Sequence, residues 1–452
     1  MGNSSGSISQ RLISGSVLVM IGKVLAAASA LVLNILLTRL LAPGDVGVYY
    51  LLVSVVTMCG LAAQLGVHQA IVRALAGGLG AKHEDMSRAS ISAAFIIVTF
   101  GVLMIGLPYA LGIGQWLGKS VFDSPLASDM AIITALWIAG FALQMLLSQI
   151  FRGFHRIGFA TLFEGTSTGV FIIIGLTYVW LTQDQLKLQD VLIITLGALL
   201  LSILLALILL RRFYEQTMPT TGVDIRGMLR ISLPLFVSST VVLGITELHI
   251  LILGSVNNED TVAIYGAAYR LAKFIVVPLL IINSVIPPMV AQFVAQGKMN
   301  EVERVLRVTA AVAGVPVIAL LVIIVLGASP ILDFFYGEFY AQGASVLIIL
   351  VAAQTVNALT GSPGVLLMMS NHQTIVMKLA LVSGVLGIVT SSVLVGFLGA
   401  TGVALGVAVG LSAHNLGMWA YCKFKLGVNT HMSMHALKDA ISEIRQKVAA
   451  KF

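Results

Sequence analysis

The apolar residues of this chain lie in long runs, and short polar breaks separate one run from the next. A helix needs about 20 consecutive apolar residues to cross the hydrocarbon core of a bilayer. The runs therefore predict an all-α polytopic membrane protein with about twelve transmembrane helices. The predicted spans are 14–41, 46–73, 90–113, 129–151, 158–181, 190–211, 232–256, 262–290, 308–328, 343–369, 376–397 and 401–422.

Basic residues are concentrated in alternate breaks between these spans. One set of breaks and the stretch after the last span hold most of the lysines and arginines, whereas the other set is richer in aspartate and glutamate. Because an excess of Lys and Arg marks the cytoplasmic side, we expect both termini inside the cell. The segment from His435 to Lys451 fits two interpretations, a short basic amphipathic helix on the inner leaflet or a flexible tail.

The composition agrees with a membrane protein and argues against several other classes. Hydrophobic residues make up 58% of the chain and charged residues 10%, and the mean hydropathy of +1.01 is far above that of soluble domains. The net charge of +7 comes without a basic, aromatic-rich soluble segment, so we expect no nucleic-acid partner. Cys59 and Cys422 lie in distant parts of the sequence and predict no disulfide framework.

The two halves of the chain share weak internal similarity at a nearly constant spacing. The matching segments are Ile13-Ser14 with Ile231-Ser232, Val46-Gly47-Val48-Tyr49 with Val262-Ala263-Ile264-Tyr265, and Phe154-His155-Arg156 with Asn371-His372-Gln373. An even number of spans per half makes both halves enter the bilayer in the same sense, on either side of a central cavity. The predicted domains are a six-helix lobe at 1–212, a cytoplasmic linker at 213–231, a second six-helix lobe at 232–422 and a cytoplasmic tail at 423–452.

Four charged residues lie inside the apolar runs, namely Lys23, Glu247, Arg270 and Lys273. A charge at membrane depth is costly, so such residues often face a water-filled interior and mark a transport path. Glu247 and Arg270 each lie about 17 Å along their helices from the turn near Asn258, so they are at similar depth and can pair. Lys273 comes three residues after Arg270 and shares its helix face.

The surplus of cations in this set favours an anionic substrate. Arg270 offers a planar set of donors to a phosphate or pyrophosphate group, and Lys273 and Lys23 add point charges. Arg270, Lys273, Lys23 and Glu247 are therefore the candidate substrate-binding residues. The alternative is a structural pair of Glu247 with Arg270 and two lysines that extend to the membrane surface.

Two further pairs of charges are candidates for gates. Arg39 lies near the end of the first span and Asp45 follows it, which fits either an outer gate or interfacial anchoring. Glu164 begins the fifth span close in sequence to Arg152, which fits either a gate contact or a salt bridge on the cytoplasmic side. Uncharged polar residues in the spans either line a wet cavity or bond between helices. They are Asn34, Gln64, Gln144, Gln149, Asn283, Gln354 and Asn357.

The sequence carries no catalytic signature. It has no phosphate-binding P-loop, no serine nucleophile elbow and no cluster of His, Cys and acids with metal-ligand spacing. We therefore predict that the protein is not an enzyme and needs neither a metal nor another cofactor.

Three segments resemble the Wzx-type polysaccharide and O-antigen flippases of the multidrug/oligosaccharidyl-lipid/polysaccharide exporter superfamily. The segments are LLTRLLAPGDVGVY at 36–49, FYGEFYAQGA at 335–344 and RGFHR at 152–156. The chain has Ala42-Pro43-Gly44 where Leu-Gly-Pro is common in that family, which is a mild departure.

The resemblance implies two six-helix lobes that form a V in the bacterial inner membrane. It also implies alternating access that moves an undecaprenyl-pyrophosphate-linked oligosaccharide from the cytoplasmic to the periplasmic leaflet. Cationic cavity residues are expected in such flippases, which suits Lys23, Arg270 and Lys273. The implied partners are the lipid-linked oligosaccharide, membrane lipids and the proteins of glycan polymerisation and assembly, and coupling to a proton or sodium gradient stays open.

Three other functions stay open. A MATE-like drug or cation antiporter would favour an acidic cavity over a basic one. A membrane-embedded glycan polymerase or ligase would normally carry a sizeable acidic loop outside the membrane, and the loop at 212–231 is short and basic. The third alternative is a scaffold for glycan assembly that transports nothing.

Overall fold

The computed structural model describes residues 5–80, 84–182, 186–214, 223–435 and 438. All regular secondary structure in these residues is helical, which confirms the predicted fold class. The chain divides into two compact units, Met1–Gly266 and Ala267–Phe452. The boundary between the units falls within a helix, and the predicted lobes at 1–212 and 232–422 stay a prediction.

The first unit is built from long apolar helices joined by short turns. Its helices are α1 Ser5–Leu40, α2 Pro43–Ala63, α3 Val67–Gly80, α4 Glu84–Pro108, α5 Gly114–Trp116, α6 Pro125–Asp129, α7 Ala131–Gly153, α8 Ile157–Thr161, α9 Ser167–Thr182, α10 Leu188–Tyr214, α11 Ile225–Gly254 and the first turns of α12 Glu259–Phe274. Turns of π-helix at Tyr109–Ile113, Leu117–Val121 and Leu162–Thr166 connect some of them without a loop.

The second unit contains the end of α12 and the remaining helices. These are α13 Val277–Val285, α14 Pro287–Ala295, α15 Met299–Tyr336, α16 Ala344–Thr360, α17 Pro363–Met369 and α18 Gln373–Lys425, with a 3₁₀ turn at Glu338–Gly343. Its buried core joins α14, α15, α17 and α18, and Val428 from the segment after α18 packs into the same core.

The helices match the predicted spans. Among the residues described, nine helices are long and apolar enough to cross a membrane, or ten if the bent pair of α12 and α13 is one span. One of the nine, α18, has 53 residues, and at ~1.5 Å per residue its length is more than twice the ~30 Å hydrocarbon core. The backbone of α18 leaves helical geometry at Gly399, between the predicted eleventh and twelfth spans. The count is therefore consistent with twelve predicted spans.

Three predicted spans are broken helices rather than continuous ones. Span 46–73 breaks between α2 and α3, where Leu65 and Gly66 have φ of 48° and 77°. Span 262–290 bends by 47° between α12 and α13, where Pro278 opens the new helix. Span 343–369 breaks at Gly361, two residues before Pro363 begins α17. Hydropathy does not register such breaks, because the apolar pattern continues through them.

Buried polar side chains hold neighbouring helices of the first unit together. Gln144 Nε2 of α7 donates to Thr168 Oγ1 of α9 at 2.6 Å and to Ser202 Oγ of α10 at 3.1 Å. Tyr50 of α2 donates its hydroxyl to Asn34 Oδ1 of α1 at 3.1 Å. For Gln144 and Asn34, the interpretation as bonds between helices is confirmed.

The stretch that follows α18 packs against the second unit. Asn429 donates its backbone N–H to Glu303 Oε2 at 3.0 Å, and Thr430 Oγ1 donates to the carbonyl of Thr360 at 2.8 Å. Met432 N donates to the carbonyl of Leu359 at 2.9 Å. Two of the last carbonyls of α16, which a helix end leaves without internal partners, are thereby bonded. Most of the predicted basic helix at 435–451 lies outside the described residues.

Candidate functional site

Arg270 and Lys273 lie in the last turns of α12, within the second unit. Arg270 is half-buried and Lys273 is exposed, with its Nζ 4.3 Å above the centre of the Tyr269 ring. The helix ends at Phe274, and the chain bends by 47° before α13. Unsatisfied carbonyls at a helix C-terminus attract cations, and the Tyr269 ring adds a cation–π contact. The broken span thus presents two positive groups on one helix end.

Glu247 lies on α11 in the first unit and is half-buried. Two residues further on, His249 is buried, and its ring centre is 5.6 Å from that of Tyr265. The pairing of Glu247 with Arg270 joins residues of different units and stays a prediction.

Lys23 is exposed on α1, beside a close contact between two helices of the first unit. A Cβ on the preceding residue, Gly22, would lie 2.8 Å from Thr161 Cγ2 of α8. Thr161 comes three residues before Glu164, so Lys23 lies at the level of the π-helical turn Leu162–Thr166. Such turns are frequent at functional sites, because the extra residue re-aims the side chains around it.

Arg152 and Glu164 form an ion pair, as one of the two interpretations of these residues predicted. Arg152 Nη2 lies 2.8 Å from Glu164 Oε2, and Arg152 Nη1 donates to Gln149 Oε1 at 3.1 Å. The two paired side chains are 37% and 40% exposed, so the pair contributes about 0–1 kcal/mol to stability after solvent screening. A gate role for Arg152 and Glu164 stays a prediction.

Arg39 and Asp45 lie on either side of the turn between α1 and α2. Arg39 is exposed in the last turn of α1, and Asp45 is half-buried in the first turn of α2. Ala42 is extended and Pro43 takes the first helical position, where its missing N–H costs nothing. Asp45 lies where the helix dipole favours an anion. Both residues are thus at the predicted outer end, and their gate role stays a prediction.

The sequence did not indicate a close contact at this same end of the first unit. Ser124, which is fully buried, donates its hydroxyl to the carboxylate of Glu259 at the start of α12 and also caps α6 by accepting from Ala127 N at 3.1 Å. A Cβ on Gly47 would lie only 1.9 Å from the carbonyl oxygen of Glu259. The backbones of α2 and α12 therefore touch, which only glycine allows at this point. We call Gly47, Ser124 and Glu259 the outer contact.

A cavity of about 530 Å³ adjoins the outer contact. Its walls are the turn between α11 and α12, from Gly254 to Asp260, and the loop with Phe122, Asp123 and Pro125. The internal repeat is the sequence signal that could have indicated the outer contact. Its matching segments Val46–Tyr49 and Val262–Tyr265 open α2 and α12, and Val46, Val48, Val262 and Tyr265 are all fully buried there.

Comparison with protein families gives two matches. The family model described as polysaccharide biosynthesis protein matches residues 12–294, which is more than half of the chain. The MatE model matches residues 234–393. No curated protein sequence matches the chain.

Several solved structures are similar to this one over nearly the whole chain. The lipid II flippase MurJ in an inward closed conformation has a TM-score of 0.73 at 15% identity, covering 93% of this chain and 89% of that chain. An inward-facing multidrug resistance MATE transporter of the MOP superfamily has a TM-score of 0.71 at 17% identity, covering 90% and 98%. A MOP superfamily transporter from Pyrococcus furiosus, described as having a binding pocket of reverse polarity, has a TM-score of 0.63 at 16% identity, covering 92% and 95%. At such identities the likeness shows a shared fold.

Proposed function

This chain belongs to the polysaccharide biosynthesis protein family, and from that premise we propose that it is a lipid-linked oligosaccharide flippase. It moves undecaprenyl-pyrophosphate-linked repeat units from the cytoplasmic to the periplasmic leaflet of the bacterial inner membrane by alternating access. Both chain termini are cytoplasmic. The protein performs no enzymatic step, and it works beside the proteins that polymerise and assemble the glycan.

The observation that carries the proposal is the pair of cations at the end of α12. A pyrophosphate carries its charge on oxygens that accept charge-assisted hydrogen bonds, and the half-buried Arg270 offers several donors in one plane. Lys273, held over the Tyr269 ring, adds a second positive charge one turn away. In a site shielded from bulk water such contacts are stronger than at an open surface, because fewer water dipoles screen them.

The proposed cycle has three parts. The pyrophosphate docks on Arg270 and Lys273, with Lys23 as a further cation on the path and Glu247 as the counter-charge that limits how tightly the anion is held. The glycan stays in water while the polyprenyl tail remains in the lipid. Release on the far side then requires the outer contact to open, which breaks the hydrogen bond from Ser124 to Glu259.

The test is a chromosomal Arg270→Ala strain compared with an Arg270→Lys strain. We expect Arg270→Ala to lose surface polysaccharide at a normal protein level, because it removes charge-assisted bonds worth about 1.5–3 kcal/mol each. Arg270→Lys keeps the charge and retains part of the export. The matched control is Lys378→Ala, which removes an exposed cation from α18 in the same unit. Full export in the Arg270→Ala strain would reject the role of this residue.

The MatE match at 234–393 favours one second candidate, a drug or cation antiporter. Such a protein binds cations, so neutralising Arg270 would improve rather than abolish its transport. Drug sensitivity on deletion of the gene, with unchanged surface polysaccharide, would establish this alternative.

A further inference from the structure

The break between α2 and α3 leaves a buried amide without partners in the described part of the protein. Gln64 is fully buried, and neither its Oε1 nor its Nε2 has a hydrogen-bond partner there. A buried polar atom left unsatisfied costs about 1–3 kcal/mol. Burial of both atoms also shields them from bulk water. Something other than the described side chains therefore has to satisfy Gln64.

Two other buried polar groups lie around the same break. The carbonyl oxygen of Ser232 on α11 lies 2.2 Å from the position of a Cβ on Gly66, so the α11 backbone passes directly beside the break. Ser232 Oγ is fully buried, and His68 Nδ1 belongs to a side chain that is 9% exposed. Both atoms also lack hydrogen-bond partners among the residues described. Three residues at or beside the break thus have buried polar side-chain atoms without hydrogen-bond partners among the residues described.

The lack of hydrogen-bond partners at Gln64 is not shared by every buried glutamine that the structure describes. Gln144 is 6% exposed in the same unit, and its amide nitrogen reaches two hydroxyl groups. The break itself is also strained, because Leu65 holds a φ of 48°, in a region that residues other than glycine rarely adopt. Strain together with unsatisfied polar atoms is typical of a site built for a ligand.

We propose that the α2–α3 break binds a monovalent cation through Gln64 Oε1 and Ser232 Oγ. In transporters, interrupted transmembrane helices are a common place for such ions. The two side-chain ligands are neutral oxygens, which suit a single positive charge. Carboxylates would be expected for a divalent ion, and the described residues contain no cluster of His, Cys, Asp and Glu that could hold a metal. Water in the same site completes the ligand shell and accepts from Gln64 Nε2.

The proposal that the break binds an ion does not depend on the flippase function. Use of that ion to couple transport rests on the proposed flippase function. The site lies where α2 and α3 meet α11, so a bound cation ties the broken span to α11 and adds to the stability of this unit. If transport is coupled to the ion, flipping depends on its gradient as well.

The experiment measures thermal unfolding of the purified full-length protein in detergent, with sodium chloride against choline chloride at constant ionic strength. We expect the midpoint to rise by about 2–4 °C between zero and 150 mM sodium, because only the folded state binds the ion. Gln64→Leu abolishes this rise. The matched control Gln144→Leu starts from a lower midpoint, because it breaks bonds to Thr168 and Ser202, and keeps the rise.

Two results would overturn the proposal. The first is an unchanged sodium effect in Gln64→Leu, or in Ser232→Ala if the leucine variant does not fold. The second is the absence of a sodium effect in the wild-type protein together with a higher unfolding midpoint in Gln64→Leu than in wild type. That combination is expected if the break is apolar or holds only water. Failure of the flippase proposal looks different, because Arg270→Ala would then export normally while the sodium effect on unfolding persists.

Discussion

Substitution of Gly47 by alanine tests the idea that the outer contact is a gate. An added Cβ would lie 1.9 Å from the carbonyl oxygen of Glu259, whereas real Cβ atoms essentially never approach closer than 3.0 Å. The starts of α2 and α12 therefore have to separate by about 1.1 Å. Overpacking of this kind typically costs about 1–3 kcal/mol. If that cost falls on the closed form alone, the ratio of closed to open molecules falls about 5- to 150-fold.

The assay follows the reactivity of a cysteine buried beside the outer contact. Ala127 on α6 is 2% exposed and is replaced by cysteine for the assay. The two native cysteines, Cys59 and Cys422, are replaced first so that only the new thiol reacts. We expect a membrane-impermeant maleimide to label Ala127→Cys faster in the Gly47→Ala protein, because the contact opens more often. Gly197→Ala is the matched control, since a Cβ at that position on α10 meets nothing within 4 Å. Equal labelling rates in the two glycine variants would show that the outer contact is not a gate.

Three further predictions concern stability. Gln144→Leu lowers the free energy of unfolding by about 1–3 kcal/mol, measured by thermal unfolding in detergent, because Thr168 and Ser202 lose their bonding partner. Thr430→Val lowers it by about 1 kcal/mol through the freed carbonyl of Thr360, and an unchanged midpoint would show that the segment after α18 is not docked. Burial lowers the pKa of His431, helped by nearby positive charges. Its neutral form is therefore favoured in the folded state, and the midpoint falls as the pH drops below about 6.5 in wild type but less in His431→Gln.

Much of the fold follows from the sequence because the bilayer imposes one rule on every span. Each apolar run must satisfy its own backbone, and only a helix does so within one segment. The ion pair of Arg152 with Glu164 was predictable for a related reason, since 12 residues across one turn between adjacent helices bring the two charges together.

The contacts that the sequence did not reveal join residues far apart in the chain. Ser124 and Glu259 are 135 residues apart, and neither is unusual for a loop or a helix start. Gln64 was indicated only as one of several polar residues, because an apolar pattern does not show that its span breaks at the next residues. Asn429 follows the last helix in a polar stretch that resembles a free tail. Its bond to Glu303 spans 126 residues.

The most direct test of the central claim is leaflet-specific labelling of lipid-linked oligosaccharide in proteoliposomes that contain the purified protein. The proposed flippase function predicts transfer of the labelled headgroup across the bilayer by wild type and Lys378→Ala, and loss of that transfer in Arg270→Ala. Transfer by Arg270→Ala at the wild-type rate would contradict it. Absence of transfer by wild-type protein that is folded and correctly inserted would contradict it as well.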